Sequence, residues 1–252
     1  MTHPGSTLRL VSLCFDANEP LLLARFWADA LGWEIDDETR EEIRLLPTDG
    51  TVFALDFLPV PERRVGKNLI HLDLTTTSDD DQAEMVERLI GRGARHVDVG
   101  QGPDDAHVVL ADPEGNELCI IEPGNRFLAG RGRLGSITCD GTPATGRFWS
   151  EALGWDLFWD QDEETAIRLP DGTGPYITWG PPLPPKVRKN RLHLDVAPWP
   201  DGDQQAEVDR LAGLGATRVD IGQGDVDWVV MADPDGNEFC VLRPHEVATI
   251  FR

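Results

Sequence analysis

Polar and apolar positions along the chain alternate between two periods, and the order of those periods recurs. Ser12 to Asp16 reads as a strand. Pro20 then opens a helix whose apolar face is Leu22, Leu23, Phe26, Trp27, Ala30 and Leu31, ended by Gly32. Trp33 follows, and then strand-like runs at Glu42–Leu46 and Thr51–Leu58, separated by the turn signal Thr48-Asp49-Gly50. A proline-rich basic link, Pro59 to Lys67, leads to a strand carrying His71 and Asp73. Ser78 caps a second helix with the stripe Ala83, Val86, Leu89 and Ile90, closing at Gly91 and Gly93. The hairpin Val108–Ala111 to Glu117–Ile121 turns at Asp112-Pro113-Glu114-Gly115, where Pro has its φ preset and Gly tolerates positive φ.

The whole pattern then repeats. Asn68 to Asp73 returns as Asn190 to Asp195, and Asp112 to Cys119 returns as Asp233 to Cys240, so the histidine recurs after 122 residues (193 − 71). The second copy has a strand at Ser136 to Asp140 and a helix with Phe148, Trp149, Ala152 and Leu153 ended by Gly154. Trp155, the basic link Pro181 to Lys189 and a helix from about Asp203 to Gly215 follow in turn. These define a first domain at 1–124, a Gly- and Arg-rich linker at 125–133 and a second domain at 134–252. A polar residue kept in both copies is a stronger site candidate than one found in a single copy.

Composition narrows the function classes. A net charge of −22 repels phosphate backbones and anionic lipid, so nucleic acid and membrane surfaces are excluded as expected partners. No apolar run approaches the ~20 residues of a membrane span, and no signal-peptide pattern opens the chain. Four cysteines without paired C-x-x-C spacing argue against a disulfide framework or structural zinc and point to the reducing cytoplasm.

A Phe-Trp helix ending in Leu-Gly-Trp, strand-helix-three-strand modules in pairs, and a final hairpin of the form Asp-Pro-x-Gly-Asn-Glu-x-Cys together resemble the vicinal oxygen chelate superfamily. The nearest look is its glyoxalase-like branch, over about residues 8–122 and 134–244. The resemblance implies an α+β fold of two tandem glyoxalase-like domains, each a pair of βαβββ modules forming a cupped mixed sheet. It also implies that one-copy relatives pair as dimers, so the fused copies are expected to form an intramolecular pseudo-dimer. The superfamily spans glyoxalase I, extradiol dioxygenases, fosfomycin-modifying enzymes and metal-free bleomycin-binding proteins, so the cup residues must decide function.

Metal-using members carry His or Gln on the first strand of a module and Glu on the last. Carried over, the first-strand position of the second module is His71 in one copy and His193 in the other, whereas the last-strand glutamate position falls on Cys119 and Cys240. In the first module the positions are Ser12 and Ser136 on the opening strand, with Asp56 but Thr178 on the closing strand. The ligand count falls short of a catalytic metal, so the expectation is no metal and no cofactor, with a divalent ion as the alternative.

Period-two alternation puts His71 with Asp73, and His193 with Asp195, on one strand face. A carboxylate there can orient an imidazole for acid or base chemistry, which makes His71 and His193 the catalytic candidates. Basic residues cluster before each histidine, at Arg63, Arg64 and Lys67 and at Lys186, Arg188, Lys189 and Arg191, one island expected near each cup mouth. Eight tryptophans stand against one tyrosine. Trp27 and Trp149 belong to helix cores, while Trp33, Phe57, Trp155 and Trp179 are expected to line the cups and stack a flat ligand. Trp159, Trp199 and Trp228 lack aromatic counterparts, so the cups are expected to differ.

The expected function is metal-free binding or sequestration of a hydrophobic or aromatic metabolite or antibiotic in two aromatic-lined cups. The alternatives are a superfamily enzyme (lyase, isomerase or dioxygenase), metal-dependent or using His71 or His193 as acid/base, and a non-catalytic interaction scaffold.

Overall fold

A computed structural model describes residues 7–102, 105–186 and 188–244, so the outer ends of both expected domains, 1–6 and 245–252, lie outside the described residues. Four βαβββ modules follow one another. The first is β1 (Leu8–Ala17), α1 (Pro20–Leu31), β2 (Glu34–Ile35), β3 (Ile43–Leu46) and β4 (Ala54–Pro59). The second is β5 (Ile70–Leu74), α2 (Asp79–Gly91), β6 (Arg95–His96), β7 (Val108–Ala111) and β8 (Glu117–Ile120). The second copy supplies β9 (Leu134–Asp140), α3 (Pro143–Leu153), β10 (Asp156–Gln161), β11 (Glu164–Arg168) and β12 (Tyr176–Gly180). Its last module is β13 (Leu192–Pro198), α4 (Gln204–Leu214), β14 (Thr217–Arg218), β15 (Val229–Ala232) and β16 (Glu238–Val241).

The helices start and stop where local chemistry dictates. Pro20 and Pro143 sit in the first turns of α1 and α3, and Gly32 and Gly154 end them in the left-handed conformation. Ser78 and Asp203 cap α2 and α4 by accepting from Asp81 N and Ala206 N. Three apolar-face expectations fail. Leu22, Ala83 and Ile90 are exposed, and the buried stripe of α2 is Met85 and Leu89, because helices resting on one side of a sheet bury a narrower stripe than the apolar pattern suggests.

The modules assemble into two eight-stranded mixed sheets, as the tandem α+β reading expects. The strand orders are β14-β15-β16-β13-β1-β4-β3-β2 and β10-β11-β12-β9-β5-β8-β7-β6. Each sheet takes one module from each copy, so a sequence repeat and a sheet are different units. Antiparallel pairing of β1 with β13 and of β5 with β9 joins the copies at the sheet centres. Both basic links therefore cross from one sheet to the other, whereas the Gly- and Arg-rich linker joins β8 to β9 within the second sheet.

Each Asp-Pro-x-Gly-Asn-Glu turn clamps the two modules of its own copy. Gly115 and Gly236 take positive φ and let the turn close. Inside it, Asp112 accepts hydrogen bonds from Glu114 N (2.9 Å), Asn116 N (2.9 Å) and Asn116 Nδ2 (2.8 Å). A fourth comes from Trp27 Nε1 on α1, 3.2 Å away in the preceding module. Glu114 then accepts from Asn18 N and Glu19 N at the start of α1, the cap that α1 lacks locally. Asp233 and Asp235 do the same in the second copy, toward Trp149 and toward Thr142 N and Oγ1 at the start of α3. Asn116 and Glu117 reach back to Asn68, and Glu117 also pairs with Arg64, so the turn holds the end of the basic link as well.

Replacing Asp112 by Ala strands the Trp27 and Asn116 donors in a buried site. Chemical denaturation is expected to show a loss of about 2–3 kcal/mol, and Asp233→Ala the same within about 1 kcal/mol. A loss below about 0.5 kcal/mol, the usual range for a surface change, would show that the clamp is dispensable.

Candidate functional site

Residues opposite one another across paired strands share a face, so the registers define what lies on each cup floor. In the first sheet one row runs Arg44, Asp56, Cys14, His193, and the next runs Ser12, Asp195, Cys240. In the second sheet the matching rows are Ala166, Thr178, Thr138, His71 and Tyr176, Ser136, Asp73, Cys119. Eight of the expected site residues thus gather on two floors, four in each: Ser12, His193, Asp195 and Cys240 on the first, and His71, Asp73, Cys119 and Ser136 on the second. Every floor mixes the two copies.

The expected aromatic lining is corrected. Phe57 is fully buried and packs on Phe15, which packs on Trp27 of α1, so it faces the helix layer. Trp179 lies one residue from cup-facing Thr178 and abuts Gly146 of α3. Trp33 is buried in the hydrophobic core and donates to Asp49, and Trp155 is buried in the same core. Period-two alternation explains the strand pair: a neighbour of a floor residue points to the other face.

The second cup is the more fully hydrogen-bonded. His71 Nε2 lies 3.4 Å from Asp73 Oδ1, and Asp73 Oδ2 accepts from Ser136 Oγ (2.7 Å) and Thr138 Oγ1 (2.6 Å). Burial works against a charged His71, but Asp73 and then Cys119 outweigh it and push His71 up to about 10. Burial likewise opposes charge on Asp73, yet hydrogen bonds from His71, Thr138 and Ser136 hold it below the usual carboxylate range. The linker packs onto this side of the sheet: Phe127 contacts the rings of Tyr176, Phe158 and Trp159. Arg131 lies over Tyr176 at 4.7 Å and donates to the carbonyls of Gly172 and Gly174. Trp159 was the one member of this aromatic wall singled out in the sequence, as a residue without a counterpart; Phe127, Phe158 and Tyr176 were not, since they do not recur in the first copy.

The first cup is open, with a polar floor and partly apolar walls. A cavity of about 630 Å³ reaches its floor, lined by Arg44, Asp56, His193, Asp195 and Cys240, with Trp228 among its walls. Asp36 and Asp37 line it where the second copy carries Phe158 and Trp159. Arg44 grips Asp56 with two hydrogen bonds of 2.6 Å. His193 Nε2 lies 3.4 Å from Asp195 Oδ1. Here Cys14 replaces Thr138, so Asp195 lacks the hydroxyl donor that Asp73 has, and Ser12 Oγ instead sits 3.5 Å from Cys14 Sγ. His193 Nδ1 and Asp195 Oδ1 are buried with no hydrogen-bond partner. Burial, then Asp195, pushes both Cys14 and Cys240 well up, and burial pushes Cys119 up, so none is an activated thiolate.

Two groups of metal-capable donors lie within 4.8 Å of one another among the described residues: Cys14, His193 and Asp195, and His71, Asp73 and Cys119. The first fits a soft divalent ion, because its imidazole and carboxylate each have an unpartnered atom. In the second, Asp73 Oδ2 already accepts from Ser136 and Thr138, so fewer of its donor atoms are free for an ion. Cys14 and Arg44 went unnamed in the sequence, and Asp56 was set aside, for one reason: each has a different residue in the second copy. The two basic islands, expected at separate cup mouths, meet in one cavity between the copies.

His71 is expected to remain protonated at pH 8 by NMR of its ring. Its folded value lies above the ordinary 6.5, so its contribution to stability is full below that pH and fades as pH rises through about 10. Asp73→Asn removes the main partner and leaves Cys119 to oppose burial, so the ring should lose its proton at clearly lower pH than in the parent; an unchanged titration in that variant would disprove the pairing.

Comparison with known proteins places this geometry. The glyoxalase-like domain model matches residues 12–121 and again 136–242. Glyoxalase I from Zea mays shares the fold with a TM-score of 0.64 at 13% identity, covering 97% of each chain. A putative dioxygenase from Bacillus subtilis aligns with a TM-score of 0.60 at 15% identity, over 95% of this chain and 86% of that one. No curated protein sequence matches. The two domain matches span most of the chain and coincide with the four modules, and the chain belongs to the glyoxalase-like family of the vicinal oxygen chelate superfamily.

Proposed function

We propose that the protein binds one polar small molecule, in the first cup, and that the second cup is a structural counterpart. The observation that carries this is the pair of partnerless atoms, His193 Nδ1 and Asp195 Oδ1, on the floor of a 630 Å³ cavity. A buried polar atom without a partner costs about 1–3 kcal/mol, which a ligand that pairs with it recovers. The volume suits a metabolite-sized molecule. The charged and polar floor favours a ligand with hydrogen-bonding functions over the flat aromatic one anticipated from tryptophan content, and Val11, Leu46, Leu58, Ile221, Trp228 and Leu242 supply apolar wall for the rest of it.

A second reading, proton transfer to or from that ligand, is favoured by one detail. His193 Nδ1 is buried on the cup floor without a partner, the place a general base would occupy against a bound ligand. A divalent ion of the kind the superfamily uses would be held by Cys14, His193 and Asp195 and would supply Lewis acidity to a ligand oxygen. The binding reading stands with or without it. Four free cysteines suit a reducing compartment, and no helix among the described residues is long and apolar enough to cross a membrane.

Thermal-shift screening against small carboxylates, amines and oxo acids, followed by native mass spectrometry of the hits, tests the proposal. The expected result is one ligand per chain, with affinity weakened about tenfold or more by His193→Ala, the loss of one charge-assisted hydrogen bond. His71→Ala should leave affinity within about twofold. Two ligands per chain, an equal loss in both variants, or no saturable ligand at all would refute the one-cup reading. Turnover of a hit that disappears in His193→Gln would convert binding into catalysis.

A further inference from the structure

We infer that the seam between the two copies is a binding site for a small polyanion, separate from both cup floors. The two basic links lie side by side where they cross between the sheets, and a cavity of about 550 Å³ opens between them. Its walls carry seven Lys and Arg side chains, three from the first copy and four from the second, against two carboxylates, Asp16 and Glu62. In a chain of net charge −22 this is a concentrated exception.

Most of these cations are held by carboxylates. Arg64 pairs with Glu117, Lys67 with Asp140 (3.0 Å) and Lys186 with Glu238 (2.5 Å). Lys189 pairs with Asp16 (2.5 Å) and Arg191 with Glu114 (2.8 Å). A purely structural seam would match cations and anions one for one. Instead Arg63 and Arg188, one from each copy, have no carboxylate partner among the described residues. Arg188 reaches across the seam: its guanidinium lies 2.9 Å from where a Cβ on Gly66 of the opposite link would stand. Gly66 has φ +80, so its identity both permits the turn and leaves room for that guanidinium.

A second observation points to the same ligand. Arg64 and Arg191 both line this cavity, each has a buried Nε without a hydrogen-bond partner, and the Arg191 side chain is only 10% exposed. Two guanidiniums without carboxylate partners, one from each side, in a wall whose other arginines are not fully satisfied, fit a molecule with two or more anionic groups, phosphate or carboxylate, since a guanidinium binds either in bidentate fashion. The cavity shares Lys189 and Ile221 with the first cup, so an anion bound here stands at that cup's entrance.

Titration calorimetry of the full chain with pyrophosphate and, separately, with citrate at low ionic strength tests this. One site per chain is expected for at least one of them, with Kd below about 1 mM and weakening as salt is raised, because exposed charges are screened. The double variant Arg63→Ser, Arg188→Ser alters two exposed positions and should bind the anion at least about tenfold more weakly. His193→Ala should leave anion affinity within about twofold, which separates this site from the cup-floor reading. Absence of saturable binding for both anions, a loss of less than tenfold in the double variant, or abolition by His193→Ala would each overturn the proposal.

Discussion

The buried Asp of each Asp-Pro-x-Gly-Asn-Glu turn is the constraint on which the rest of the molecule depends. One carboxylate closes its own turn through three donors and takes a fourth from a tryptophan of the preceding module. Because the two modules of a copy lie in different sheets, that tryptophan contact ties sheet to sheet. The acidic residue two positions later covers the open N-terminus of the helix that bears the tryptophan, and the Asn-Glu that ends the motif secures the end of the basic link, where it enters the turn's own module. A short polar segment thus organises a helix, a hairpin and a link at once. Its donors and acceptors are nearly all buried, so the arrangement tolerates little substitution.

With the frame held in duplicate, the two cups were free to diverge on their floors. The His-x-Asp pair is common to both at the same 3.4 Å separation. What differs is what surrounds it. In the second cup two hydroxyls complete the aspartate, and the linker lays Phe127 against an aromatic wall, so the polar groups are more fully hydrogen-bonded. In the first cup a thiol replaces one hydroxyl, two aspartates replace two aromatics, and an Arg-Asp pair joins the floor. Unsatisfied polar atoms beside a cavity mark the place where binding energy is available; saturated ones mark architecture. Crossing of both basic links between the sheets is the other consequence of the frame, and it gathers positive charge that the linear sequence keeps 122 residues apart (186 − 64).

Much of this was legible in the chain. The module order, helix ends and hairpin turns followed from period, proline, glycine and capping residues, all of which act within a few positions of themselves. The His-x-Asp pairs and the cysteines were found because repetition selected them. The same filter passed over Cys14 and Arg44 and set Asp56 aside, since their counterparts are Thr138, Ala166 and Thr178. Aromatic content misled for a related reason: Phe57 and Trp179 sit one residue from a floor position, and a strand sends neighbours to opposite faces.

The sequence by itself determined the four modules, their local boundaries and the pairing of each histidine with an aspartate two residues on, since these depend on local dihedral preferences and on strand alternation. Only the tertiary structure decided which modules share a sheet, which cup is open, and that two distant basic segments face one cavity. Those outcomes turn on pairings between residues far apart in the chain, where hydrogen-bond satisfaction and packing of the whole molecule select one arrangement among several that the local pattern allows.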